Sequence, residues 1–157
     1  MKKQKGFSVI ELLIVVAIIL IIAAIAIPNF LKSKMAANES SALESMRTIN
    51  TGEVTYAASC PSIGYSATLV ELNTGTICAS GTGIIDNVLA TGAKSGYTFT
   101  YTPGAADTSG VVSAYTNVAV PLNVGVTGQR GFYSDQMSVI RYSSDGSAPT
   151  VTSSALQ

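Results

Sequence analysis

The sequence predicts an α+β protein in which a long N-terminal α-helix packs on a small antiparallel sheet of about four strands. Three observations predict it. Residues Phe7 to Ile27 form an apolar run whose only polar side chains are Ser8 and Glu11. Beyond that run, Leu31, Met35, Ala42, Met46, Ile49 and Tyr56 recur at spacings of 4, 7, 4, 3 and 7, one apolar stripe of a helix. From Tyr97 the period changes to two: Tyr97, Phe99 and Tyr101 alternate with Thr98, Thr100 and Thr102 between Gly96 and Pro103.

With 157 residues, 47% of them apolar and 11% charged, the chain has room for one small domain and a membrane segment. The division expected is a basic leader over 1–6, a helix over 7–56 that spans the membrane over 7–27, and an exported head over 57–157. Within the head, 57–95 is a connecting region and 96–143 holds the sheet. At 1.5 Å per residue the apolar run covers roughly 31 Å, about one hydrocarbon core. A secretory signal has a shorter apolar region followed by a small-residue cleavage site. Here no such site separates the run from Pro28, and the small residue, Gly6, stands before the run. A cut there discards Lys2, Lys3 and Lys5 and leaves the apolar helix on the product. Those lysines also orient the segment, because basic flanks stay in the cytoplasm and everything beyond Ile27 is then exported.

Gly6-Phe7-Ser8-Val9-Ile10-Glu11-Leu12, with three lysines upstream and an apolar run closed by Pro28, resembles the N-terminus of a type IV prepilin. The resemblance covers about the first 55 residues closely and the remainder only in architecture. It implies cleavage between Gly6 and Phe7 by a prepilin peptidase, N-methylation of Phe7 by the same enzyme, and an assembly role for Glu11. It also implies a precursor in the inner membrane with its head in the periplasm, then an extracellular pilus built with the pilus assembly machinery.

Glu11 carries physics of its own. A carboxylate inside a membrane helix costs about 2.5 to 3.5 kcal/mol near the centre and less near an interface, so it seeks a partner. A cationic amine on a newly exposed Phe7 lies one helical turn away. Pairing within one chain stabilises a monomer; pairing between neighbours fixes the register of a helix joining a bundle, the use the resemblance implies. Pro28 withdraws the hydrogen bond to the Ala24 carbonyl, so a kink or soft point is expected there. The helix should continue to about Tyr56, weakened by Gly52 in its final turns.

Cys60 and Cys78 are the only cysteines. On the exported side a disulfide is the default for such a pair, and closing its loop contributes about 3 kcal/mol on the chain-entropy view. Many type IV pilins staple a loop near the C-terminus instead, and this chain has no cysteine after Cys78. Ser66 is expected to cap a short helix through Leu69 and Leu72, and Ile84, Ile85, Val88 and Leu89 give a second short helical turn stopped by Gly92. Tyr115 to Val120 reads as a second strand. Gly131 to Ser134 and Val139 to Tyr142 flank Asp135-Gln136-Met137-Ser138 as a hairpin, with Arg130 and Arg141 placed to bridge to Asp135 or to a neighbouring subunit. Gly104 to Gly110 and the tail from Ser143 read as surface loops.

The residue inventory points away from catalysis. With no histidine there is no Ser-His or Cys-His pair and no ordinary structural zinc site, and no phosphate-binding loop is present. Asp86, Asp107, Asp135 and Asp145 lack EF-hand spacing and read as surface carboxylates. Asn38-Glu39-Ser40 matches a glycosylation sequon but falls in a predicted helix. Without the leader, six basic residues face nine acidic ones, so a nucleic-acid surface is not indicated. The expectation is a structural subunit without cofactor, homo-oligomeric in a helical filament. The alternatives are a pseudopilin of a type II secretion system, which shares this N-terminus, and a minor pilin acting as a binding module.

Overall fold

The structure, a computed structural model, describes residues 6–74 and 83–156. Lys2, Lys3 and Lys5 of the leader and Cys78 lie outside the described residues. The chain divides into two units, Met1–Lys34 and Met35–Gln157. The first helix, α1 (Val9–Ser59), begins in the first unit and ends in the second. It starts two residues later and ends three residues later than the sequence suggested.

From Leu12 to Ile27 α1 is apolar on every side. Val16, the least exposed large aliphatic side chain between Val9 and Ile27, still shows 44% of its surface. The helix is long and apolar enough to cross a membrane. Pro28 lies inside it, with helical residues on both sides, and the Ser33 hydroxyl donates to the Asn29 carbonyl at 3.0 Å.

The second unit joins the rest of α1 to two short helices, α2 (Leu69–Thr74) and α3 (Asn87–Ala90), and to one antiparallel sheet. The sheet has six strands in sequence order: β1 (Ala93–Lys94), β2 (Tyr97–Pro103), β3 (Tyr115–Pro121), β4 (Gly131–Asp135), β5 (Arg141–Ser143) and β6 (Ser154–Ala155). The expected four strands form its centre, and two-residue strands are added at both edges. Phe99 pairs with Ala119, Ala119 with Phe132, and Phe132 with Tyr142. On β3 the alternation is complete, with Tyr115, Asn117, Ala119 and Pro121 inward. Threonines between aromatic residues suit a pleated, half-buried surface, which is why β2 forms where the period turns to two. The fifth strand begins at Arg141 rather than Val139. The tail, expected to be loop, returns to pair Ser154 with Tyr142.

Met46, Ile49, Tyr56, Leu72, Leu89, Tyr97 and Phe132 join α1, α2, α3 and the sheet in one core, each nearly or fully buried. A large apolar side chain moved wholly out of water contributes about 1.5–3 kcal/mol. The α1 stripe differs from expectation at both ends of the polarity scale. Leu31 is exposed, whereas Glu39, Ser45, Asn50 and Glu53 are buried beside Ala42, Met46, Ile49 and Tyr56. Ser66 does not cap α2; its hydroxyl goes to Glu53, and Thr68 supplies the oxygens that receive the Glu71 amide. The second short helix is capped by Asp86, which accepts the Leu89 amide at 2.8 Å and pairs with Lys94.

Candidate functional site: the N-terminal turn and the apolar helix

The first turn of α1 is closed by its own side chains. Ser8 precedes the first helical residue, and its hydroxyl receives the Ile10 amide at 3.4 Å. Glu11 turns back and accepts the Ser8 amide on Oε2 at 2.9 Å. This is a reciprocal capping box, which satisfies amide donors that a helix start leaves without partners and sets a carboxylate at the positive end of the helix dipole. The sequence reading assigned Glu11 to assembly and missed Ser8. The signal was present as serine three residues before glutamate at the head of an apolar run.

Gly6 and Phe7 precede that turn and are exposed, Phe7 at 90%. A cut between them leaves the Phe7 amine next to Ser8, on the turn that holds the Glu11 carboxylate. The site therefore contains an accessible junction, a fixed acid and an apolar helix with no cover of its own.

The other predicted residues are dispersed. Pro28 lies far along the helix, and Cys60 is buried just after the end of α1. Its proposed partner, Cys78, is outside the described residues. Of the acids expected at the surface, Asp107 accepts the Ser109 and Val111 amides and Asp145 the Ser147 amide, whereas Asp135 ends β4 buried, not solvated, and accepts the Met137 amide. Among the described residues no three potential metal ligands are grouped. The sequon amide of Asn38 is engaged, donating to the Thr127 carbonyl at 2.8 Å.

Three buried polar residues of α1 fasten it to the rest of the second unit. Glu39 accepts the Gln129 amide at 2.8 Å, the Arg130 amide at 3.2 Å and Arg130 Nε at 2.8 Å. Burial acts to raise the Glu39 carboxyl, but these donors outweigh it and hold the group below the ordinary glutamate range. Arg130 thus bridges to α1, not to Asp135, and its guanidinium lies over Phe132 and Tyr142. Arg141 donates instead to the Ser153 carbonyl at 3.0 Å. Asn50 donates to Ser134 Oγ at 2.7 Å and receives the Tyr115 hydroxyl at 3.1 Å. Glu53 receives Ser66. All three residues stand three or four positions from apolar members of the stripe, the pattern that could have found them.

Comparison with known proteins bears on the N-terminal part. Residues 1–27 match the prokaryotic N-terminal methylation motif. The chain is 44% identical over 54 residues to the type IV major pilin protein PilA of Myxococcus xanthus, covering 34% of this chain and 24% of that protein. It is 56% identical over 39 residues to the type IV wide pilus major component PilA4 of Thermus thermophilus, covering 25% of this chain and 30% of that protein. The matches thus span about a quarter to a third of these relatives' length. No solved structure matches. The similarity to type IV major pilins lies in this N-terminal part, the methylation motif and the helix that follows it.

Proposed function

We propose that this chain is the structural subunit of a type IV pilus, processed between Gly6 and Phe7, N-methylated on Phe7 and polymerised through its apolar helix into an extracellular filament. The observation that carries the proposal is the uncovered helix from Val9 to Ile27, headed by a junction that matches the methylation motif. A helix apolar all round is stable in lipid or among its own kind, and transfer from the first environment to the second is what filament assembly requires. The names of both relatives, a major pilin and a major pilus component, support the major-subunit reading over the pseudopilin.

Glu11 is proposed to pair with the Phe7 amine of a neighbouring subunit. The capping box holds the carboxylate at the start of α1, and the pairing would offset the cost of carrying both charges into an apolar bundle. Cys60 and Cys78 are proposed to close a disulfide, and Pro28 to give the helix a soft point. Glu11→Ala tests the assembly role: the protein should be processed and held in the membrane yet enter fibres at least tenfold less than the unaltered chain. Normal fibre yield from this variant would refute that role.

A further inference from the structure

Glu53 of α1 is fully buried, and none of the ion pairs among the described residues includes it. Its Oε2 accepts the Ser66 amide at 3.0 Å, and its Oε1 lies 2.6 Å from Ser66 Oγ. The titratable groups around it come from each element packed there. Tyr101 of β2 donates its hydroxyl to the Ser66 carbonyl at 2.8 Å, and Tyr115 of β3 faces the same space. Glu71 of α2 accepts the Ala67 amide at 2.9 Å, and Tyr56 stands one turn further along α1. Every one of these is an acid or a phenol, and among the described residues no base pairs with Glu53.

Proton counting separates the two states of this group. The Ser66 hydroxyl has one proton and three oxygens near it: Glu53 Oε1, the Thr68 carbonyl at 3.2 Å and Tyr101 Oη at 3.5 Å. If Glu53 is a carboxylate, that proton is spent on it and a negative charge remains buried without a cation. If Glu53 is a neutral acid, Oε1 donates to Ser66 Oγ, which passes its own proton to the Thr68 carbonyl, while Oε2 keeps the Ser66 amide. The heavy atoms need not move, and the buried charge is gone. Burial pushes the Glu53 carboxyl up, further than the Ser66 bonds draw it down.

The geometry points to Glu53 as a proton-operated clamp: as a neutral acid it holds the segment from Cys60 to Leu72 on α1, and on ionisation it releases that segment. Because the folded group titrates above its unfolded value, the clamp's contribution is complete below the ordinary glutamate range. It is lost as pH rises through the raised folded value.

The test is carboxyl carbon NMR of Glu53 together with amide exchange at Ser66, corrected for the intrinsic rate, on the full chain in detergent micelles from about pH 4 to pH 8. The Glu53 midpoint should lie above the ordinary glutamate range, and Ser66 protection should fall at least about tenfold across it. Glu53→Gln copies the neutral acid, its carbonyl accepting the Ser66 amide and its amino group donating to Ser66 Oγ. Protection in this variant should hold at every pH. A Glu53 midpoint within or below the ordinary glutamate range, unchanged Ser66 protection through the midpoint, or loss of protection in Glu53→Gln at all pH values would each overturn the proposal.

Discussion

Replacing Glu39 by alanine removes one side chain and strands three donors. The Gln129 and Arg130 amides lose a shared acceptor, and Arg130 Nε loses its partner at 2.8 Å. A buried donor left unpaired costs about 1–3 kcal/mol. The ion pair itself adds about 0.2–1 kcal/mol, since the Arg130 side chain is 37% exposed. Taking the low end for both amides and adding the ion pair gives about 2–3 kcal/mol, and at roughly 2–4 °C per kcal/mol for a chain of this size the melting temperature should fall by about 4–12 °C. Near-ultraviolet circular dichroism of the full chain in micelles reads this, because the seven tyrosines and absent tryptophan make the signal one of the head. Glu39→Gln keeps an acceptor for the amides and should lose only about 1 kcal/mol. The Glu39 carboxyl titrates below its unfolded value, so its contribution is present above about pH 4.5 and is lost as pH falls through the lowered folded value. The gap between the parent and Glu39→Gln should therefore close in acid. An alanine variant melting within 2 °C of the parent, or a gap that widens in acid, would refute the reasoning.

Three further outcomes are expected. Gly128→Ala drives a Cβ into the buried Tyr97 hydroxyl, which donates to the Arg130 carbonyl at 2.8 Å, so the β3–β4 turn must shift; urea unfolding should show a loss of about 1–3 kcal/mol. Cys60→Ser should abolish the mass difference between the reduced and unreduced alkylated protein and lower stability by about 3 kcal/mol, and an unchanged alkylation pattern would exclude the bridge. Gly6→Val puts a branched side chain at the junction and should leave the chain uncut, readable as retention of the residues before Phe7 in the intact mass.

The sequence carried the parts of the fold that repeat. The apolar run, the outer stripe and the strands at Tyr97, Tyr115 and Gly131 are each long enough for periodicity to show, and each lies within a few residues of its expected bounds. Ala93–Lys94 and Ser154–Ala155 are too short to have a period; they exist because neighbouring strands offer free edges. Leu31 continued the apolar spacing but is exposed. Conversely the helical spacing of Glu39, Asn50 and Glu53 puts them on the stripe's face, but their partners lie 91, 84 and 13 residues away, and those no local pattern reveals. At the N-terminal site the junction and Glu11 were legible from residue identity. The Ser8 cap was legible in the same stretch, as a serine three residues before a glutamate at the head of an apolar run.

Intact-mass and N-terminal analysis of fibres sheared from cells tests the central claim most directly. The account predicts that the fibres contain this chain in abundance, beginning at N-methylated Phe7. Fibres that lack it, or that carry the chain with Met1 and its lysines still attached, would contradict the account.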